Sequence, residues 1–363
     1  MKVLVFGYGG KSTSAVSDIL LNLFKTFPKK DVEFVLYGYG EAFDTCLVSK
    51  NIKVVSIKDP FSKKAITSER LKRKLSRILK IDSPLISWKR IYKKSKKLFR
   101  GIKFDYVFAA AGYFMYVEAA YRFAKNNSIP FGVFYFDPFT NNIFSLNKKK
   151  RIRIEKRWYD YAKCIFRDVD GAEFPFLDSK KIVSNFNIPI FEQDSLFSPK
   201  GPIIYGGTFY KGLRNPSSLE KILNENNFCD EKFIIFTNYS NFKIYKKNVT
   251  IRPLVSSLEF DEVCKTAKAI IVVGNSNNLV SPSKIIKIIS FKKPLIGIGL
   301  SNTSQLLNKY PLYYDGLTLE TISSINELRE ENLENLRLAD IFPELNPKIL
   351  HNSIEKVLNN FSR

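Results

Sequence analysis

The sequence predicts an α/β chain of two successive domains, each a parallel sheet with helices on both faces. Three observations carry this prediction. Short apolar runs such as Val3–Phe6, Ala269–Val273 and Pro294–Ile298 recur along the chain and read as buried strands. Helix-length stretches separate them, and strands that alternate with helices imply a parallel sheet. A segment bearing Ser, Pro and Gly, Glu192–Gly201, stands between two rounds of this alternation and fits an interdomain linker. The expected domains are residues 1–195 and 196–345, with a last helical stretch at 346–363. A chain of 363 residues is long enough for two such cores.

Taken in order, Val3–Phe6 is the first strand, and GYGGKSTS behind it opens a helix at Ala15–Phe24. The glycine run matches neither of two common phosphate motifs. A Walker A loop would need glycine where Val5 stands, and a G-x-G-x-x-G turn would need it at Ser12. A glycine-rich first turn still lets a helix N-terminus face the cleft between two domains. Gly9 and Gly10 are candidates for that role, beside the alternative of a tight turn that serves packing only. Val32–Tyr37 and Ile52–Ile57 read as the second and third strands, joined by a loop, GYGEAFDT, that carries Glu41 and Asp44. Asp105–Ala110 is the fourth strand, Tyr113–Lys125 a helix, and Ile129–Phe136 the fifth strand. Ligands of parallel α/β sheets gather at the carboxyl ends of strands, which makes Asp137 a candidate contact; Asp-Pro equally starts a turn. Lys148–Cys164 reads as a long helix, Cys164–Arg167 as a short strand, and Asn187–Phe191 as the last strand of the first domain.

The second round begins with Ile203–Tyr205, followed by Gly206, Gly207 and Thr208, and a helix starting near Pro216, since proline suits the first helical position. Phe233–Phe236 is a strand that ends in TNYSN, and Val249–Arg252 is another, followed by Pro253. A helix at Leu258–Ala267 leads to the buried run Ala269–Val273, which ends at Gly274. A helix at Ser283 and a strand at Pro294–Ile298 follow. Two Rossmann-like halves result, with no repeat at short period.

Composition narrows the classes. No uninterrupted apolar run approaches the roughly 20 residues that span a bilayer, and the apolar part of MKVLVFGYGG is shorter than a signal peptide requires. The four cysteines, Cys46, Cys164, Cys229 and Cys264, are scattered without metal-ligand spacing and are expected to be reduced, cytoplasmic residues. A histidine-rich zinc site is not expected from one histidine, and a Ser-His-Asp triad would depend wholly on His351. The formal net charge is +23, part of which reflects a compositional habit of Lys, Asn, Ile and Phe. Its distribution says more than its total. From Phe61 to Lys103 there are sixteen Lys or Arg and two acidic residues, Glu69 and Asp82, with Leu75, Leu79, Trp88, Ile91 and Tyr92 interleaved at helical spacing. Three readings fit this amphipathic stretch: a solvated basic face, contact with an anionic bilayer or lipid-diphosphate, or nucleic-acid binding.

The chemistry is concentrated in IIYGGTFYKGLRNP, from Ile203 to Pro216. A glycine turn at a strand end lets backbone approach a ligand closely, free amides there bind anions, and two long cations follow, Lys211 and Arg214. A diphosphate needs this combination. A plain strand–turn–helix corner with solvated charges fits the same letters. A second stretch, SPSKIIKIISFKKPLIGIG, runs from Ser281 to Gly299. The pair, in this order and about seventy residues apart, resembles the nucleotide-binding half of GT-B glycosyltransferases, in particular the family 4-like enzymes of bacterial surface polysaccharides. Pro282, Ser283, Lys284, Ile285, Lys293 and Pro294 match that family's "PSK-I … GKP" segment. Lys287 stands where the ribose-binding Glu is usual and Lys292 replaces the Gly. The family's two glutamates would fall near Leu279 and Lys287, and neither is acidic.

The resemblance implies two Rossmann-like domains facing a cleft, the GT-B fold, with the last helix, Asn346–Leu358, packing back on the first domain. It implies a hexosyltransferase that moves a sugar from a UDP-sugar to a lipid-linked or surface glycan, in the cytoplasm at the inner face of the membrane. Lys211 and Arg214, with the amides of Gly207 and Thr208 in the Gly206 turn, would stabilise the leaving diphosphate. No Asp-x-Asp pair is placed to carry a divalent ion, so these cations would substitute for a metal, and no cofactor is expected beyond the donor. Ser283 and Lys284 would lie near the donor phosphates and sugar, Asn238 and Pro253 near the nucleoside, and Gly9 and Gly10 beside the acceptor or a donor phosphate. For an inverting enzyme Asp137 or Glu118 would be the base. The stretch 61–103 would meet the anionic membrane surface, and a homo-oligomer is left open. Two rivals remain: a non-catalytic GT-B-like subunit of a glycosyltransferase pair, and a nucleic-acid-binding α/β protein.

Overall fold

The structure, a computed structural model, describes residues 1–7, 15–40, 44–58, 88–110, 114–136, 148–168, 182–209, 216–238, 242–274, 283–300 and 304–361. The chain divides into two compact units, Met1–Pro189 together with Pro347–Arg363, and Ile190–Asn346.

In the first unit β1 (Lys2–Phe6), β2 (Glu33–Gly40), β3 (Asp44–Ser49), β4 (Ile52–Lys58), β5 (Tyr106–Ala110), β6 (Phe131–Tyr135), β7 (Cys164–Asp168) and β8 (Ile182–Phe186) form one sheet, in the order β3-β4-β2-β1-β5-β6-β7-β8. The central strands are buried on both faces, so they are apolar without alternation. Leu4, Phe6, Val107, Ala109 and Val133 belong to a core shared with α2 (Trp88–Leu98), α3 (Phe114–Asn126) and α4 (Lys148–Tyr161). On the opposite face Phe24 of α1 (Ala15–Lys25) packs on Phe34 and Phe134, with ring centroids 4.4 and 6.2 Å apart. The C-terminal helix Pro347–Asn360 packs on β8 and meets the end of α1 and the residues after it. His351 Nε2 donates to the Leu23 carbonyl (2.8 Å), the ring meets Phe27 edge-on, and Lys29 pairs with Glu355 (3.1 Å). Burial holds the His351 imidazole below its ordinary range. The chain's one histidine is therefore spent on helix packing, which closes the route to a Ser-His-Asp triad.

Two sequence expectations are corrected here. Asp44, expected in a loop, begins β3, which runs antiparallel to β4 with Thr45 opposite Val55 and Leu47 opposite Lys53. A two-residue turn at Lys50–Asn51 suffices for such a hairpin, whereas a parallel strand would need a long crossover. The last strand is Ile182–Phe186, paired in parallel with β7, and not Asn187–Phe191. Pro189 interrupts the latter run, and proline has no N–H to give a ladder.

In the second unit β9 (Ile203–Gly206), β10 (Phe233–Phe236), β11 (Val249–Arg252), β12 (Ala269–Val273), β13 (Leu295–Ile298) and β14 (Tyr313–Asp315) pair in parallel, in the order β11-β10-β9-β12-β13-β14. The helices are α5 (Ser217–Glu225), α6 (Ser257–Lys265), α7 (Ser283–Ile289), α8 (Ser304–Lys309), α9 (Leu319–Asn326), α10 (Glu330–Glu334) and α11 (Leu338–Ile341). Ile203, Tyr205, Phe233, Ile235, Ile271 and Val273 pack with Leu219 and Leu223 of α5 and Ile322 and Ile325 of α9. A buried ion pair ties the amino ends of this sheet. Lys268 Nζ lies 2.5 and 2.7 Å from the two Glu231 oxygens, and Asn248 bonds the Glu231 carbonyl. Both charges are nearly out of water, so removing one partner would strand the other at a cost of about 3–5 kcal/mol.

Candidate functional site

Numbered from its own first strand, the second sheet has the order 3-2-1-4-5-6. Connections leave β9 toward one edge and β12 toward the other, so the carboxyl ends of β9 and β12 flank the point where strand order reverses. Ligands of open α/β sheets bind at that point. The Gly206–Gly207–Thr208 segment sits there. Gly207 N–H donates to the Phe236 carbonyl (3.0 Å) and Thr237 N–H to the Arg252 carbonyl (3.0 Å). These bonds carry the ladder one residue past β9 and β10, and line up Gly207, Thr237 with Asn238, and Pro253 across three neighbouring strand ends, about 10 Å in all. The Gly207 amide is therefore engaged in the sheet and is not a free anion donor, contrary to the sequence expectation. Among the described residues nothing accepts from the Thr208 amide.

The turn rests on aromatic rings. Tyr205 stacks on Phe209 (5.0 Å, 17°) and Phe209 on Phe242 (5.4 Å, 28°). Gly206 is glycine for a packing reason. A Cβ there would lie 2.2 Å from Cε2 of Phe260, on α6. Asn238 and Pro253 are exposed, and Leu254 and Val255 beside them expose apolar surface, 42% and 36%. α5 follows with Pro216 at its N-cap, a residue with no capping side chain. α6 is capped in full: the Ser256 hydroxyl accepts from Glu259 N–H, and the Ser256 amide and hydroxyl donate to the Glu259 carboxylate, holding it below its ordinary range.

Beyond β12, Gly274 approaches the end of β13 so closely that a Cβ would lie 1.9 Å from the Gly299 carbonyl. Ser283 and Lys284 form the first turn of α7. Lys287, where the resemblance led to a missing carboxylate, pairs with Asp261 of α6 at 2.8 Å. Lys292 has φ +53°, the left-handed conformation that favours the glycine usual there, and pairs with Glu192 at 2.8 Å. Lys293 is buried and donates to the Leu196 carbonyl, and burial lowers its ammonium to about 8.

The structure thus brings Gly206, Gly207, Thr208, Asn238 and Pro253 to the carboxyl ends of neighbouring strands. Gly9, Gly10, Asp137, Lys211 and Arg214 lie outside the described residues. Glu118, the alternative base, is buried within α3 and accepts from Arg157 (2.7 and 2.8 Å), Arg122 (3.0 Å) and Trp158 (2.6 Å). Both oxygens are engaged in holding α3 to α4, so it is a structural carboxylate. Sequence reasoning missed Phe260, Phe242 and Asp261. No spacing ties them to Gly206 or Lys287, and only the strand order does.

No protein-family profile matches the chain, and no curated protein matches it in sequence. Solved structures match it over nearly its whole length. Sucrose-phosphate synthase from Thermosynechococcus elongatus superimposes with TM-score 0.59 at 7% identity, covering 99% of this chain and 98% of that one. HepE of Anabaena, in complex with UDP, gives 0.55 at 8% identity, covering 99% and 100%. An alpha-glucosyltransferase in complex with UDP-glucose and DNA containing an abasic site gives 0.54 at 10% identity, covering 100% of both. The likeness is one of fold: two Rossmann-like domains of the GT-B class.

Proposed function

We propose that the protein is a glycosyltransferase that takes a hexose from a UDP-sugar. One observation carries this reading: in a GT-B fold, a glycine turn stands at the strand-order reversal of the second sheet, between β9 and the proline-capped start of α5, and the sequence joining them holds Lys211 and Arg214. Charge develops on the diphosphate as the sugar leaves. Lys211, Arg214, the Thr208 amide and the first turn of α5 supply the compensating positive end. Ser283 and Lys284 lie on the sugar side of the donor, and the exposed surface of Asn238, Pro253, Leu254 and Val255 takes the nucleoside. UDP is favoured because HepE was solved with UDP and the alpha-glucosyltransferase with UDP-glucose. The cations replace a metal in this reading. Gly9 and Gly10 stand beside the acceptor or a donor phosphate, Asp137 contacts the acceptor, a lipid-linked or surface glycan, and the enzyme works on the cytoplasmic side, peripheral to the membrane. The alternative of a non-catalytic partner subunit is favoured by the Lys287–Asp261 pair, which occupies the place of the usual ribose carboxylate.

The test is a thermal-shift titration with UDP, GDP, CMP and ATP, with and without EDTA, on the wild type, Lys211→Ala and Arg214→Ala. A ligand at 100 times its Kd stabilises by about 2.7 kcal/mol. UDP alone is expected to raise the wild-type Tm, EDTA to leave the shift intact, and both variants to lose it. A shift with GDP or CMP instead overturns the donor class, and no shift with any nucleotide overturns the site. Turnover of UDP-sugars then separates the enzyme from the silent subunit.

A further inference from the structure

Among the described residues, the helices α2, α3 and α4 of the first unit bear a concentration of basic side chains. α2, α3 and α4 lie side by side over the same sheet face, α3 packing against both neighbours. α2 carries Lys89, Arg90, Lys93, Lys94, Lys96 and Lys97, all exposed, and no acidic residue. α4 adds exposed Lys149, Lys150, Arg153 and Lys156. The three helices hold three acidic side chains, Glu118, Glu155 and Asp160, against these ten cations. Glu118 is buried under its two arginines, Glu155 is buried, and Asp160 pairs with Lys156 at 3.4 Å.

Aromatic rings are set into this surface. Trp88 and Tyr92 are half-buried against the core, with Arg122 5.4 Å from the Trp88 centroid and Lys96 5.8 Å from that of Tyr92. Arg157 lies 5.2 Å from the ring of Tyr121. Glu118 anchors Arg122 and Arg157, and Asn126 bonds the Tyr92 hydroxyl. A surface that binds single-stranded nucleic acid offers open ring faces for base stacking, and here the protein's own cations lie over the rings. Apolar ring bodies with cationic tips around them are what the headgroup layer of a bilayer accommodates.

We infer that the α2–α3–α4 face is a docking surface for an anionic lipid bilayer, with headgroup phosphates against the cations of α2 and α4 and Trp88 and Tyr92 at headgroup level. This contact extends the membrane-peripheral reading above but not its donor site. Vesicle binding is measured without nucleotide, so either can fail alone.

The experiment is co-sedimentation of the full chain with vesicles of phosphatidylcholine alone and of phosphatidylcholine mixed with phosphatidylglycerol. Binding is expected only to the anionic vesicles. It should fall about thirty-fold in Lys93→Gln/Lys94→Gln, two cations lost at about 1 kcal/mol each, and by a similar factor in Lys149→Gln/Lys150→Gln. Lys246→Gln/Lys247→Gln in the second unit removes the same charge and should leave binding unchanged. All six positions are lysines outside the buried core, and equal melting temperatures verify that the variants fold. The proposal is overturned if the second-unit variant loses as much, if neutral vesicles bind equally, or if a single-stranded oligonucleotide displaces the protein from vesicles and the α2 variant weakens the oligonucleotide more than the lipid.

Discussion

Gly206→Ala decides what the glycine at the end of β9 is for. A Cβ built there lies 2.2, 2.4 and 2.9 Å from Cε2, Cζ and Cδ2 of Phe260. Non-bonded carbons settle at about 3.5–4.0 Å, so the ring must retreat by more than about 1 Å. It is not free to do so, because it meets Phe236 edge-on at 5.9 Å and 86°. Gly206 does not have a positive φ, so alanine brings no backbone strain and the cost is overpacking alone, about 1–3 kcal/mol. At roughly 2–4 °C per kcal/mol for a domain of this size, the Tm falls by about 2–12 °C. Phe260→Leu in the same chain makes room for the methyl and should recover most of the loss, a coupling of about 0.5–3 kcal/mol. Thermal unfolding of the four proteins of this cycle, each with and without UDP, is the assay. If the glycine exists for Phe260, the double variant recovers stability and UDP binding together. If a ligand also needs the bare backbone, stability returns and binding does not. An unchanged Tm for Gly206→Ala, or no coupling to Phe260→Leu, refutes the packing argument.

Two further outcomes follow from the loop before β13. Lys292 holds φ +53° at a left-handed cost of about 1–2 kcal/mol, while its pair with Glu192 returns at most about 1 kcal/mol. Lys292→Gly should therefore be about 1 kcal/mol more stable than Lys292→Ala, which loses the ion pair and keeps the strain; equal denaturant midpoints would show that the backbone is not strained. Lys293 has its ammonium lowered to about 8 by burial, against 10.5 when unfolded. Between these values the unfolded chain holds a proton that the folded chain has released, so stability rises with pH from about 8 to 10, by at most about 1.4 kcal/mol per pH unit. Lys293→Met should flatten that rise in urea titrations across the window, and an unaltered slope would place the titrating group elsewhere.

The alternation of strands and helices was legible because most strands here are buried on both faces, and such strands announce themselves as short apolar runs. Elements that depend on neighbours were not. Asp44–Ser49 is half polar and becomes a strand only because β4 offers it an open edge. Tyr313–Asp315 is three residues long and, among the described strands, pairs with β13 alone. Asn187–Phe191 was read as the last strand, but its proline breaks the ladder, and Ile182–Phe186, no less apolar, takes the place. At the site the position of the glycines at a strand end was legible and its reasons were not. The contact between Gly206 and Phe260 and the pair of Lys287 with Asp261 join residues far apart in sequence, and the bond that occupies the Gly207 amide depends on β10 lying beside β9.

The same distinction bears on the net charge of +23. A mere compositional habit would scatter unpaired lysines evenly. In the second unit five lysines meet a carboxylate, Lys265 with Glu262, Lys268 with Glu231, Lys287 with Asp261, Lys292 with Glu192 and Lys309 with Glu344, at 2.5–2.8 Å. α2 instead packs six cations and no acid into eleven residues, a helix about 16 Å long. Neighbouring charges on it lie within a Debye length of about 8 Å at physiological salt, so they repel one another and raise the free energy of the isolated helix. Such a concentration is tolerated because Ile91 and Ser95 fasten the helix to the core and Glu118 anchors the arginines beside it. A dense anionic surface turns that repulsion into attraction over the whole face at once. Composition explains an excess of lysine in this chain, and the placement of the excess is what composition does not explain.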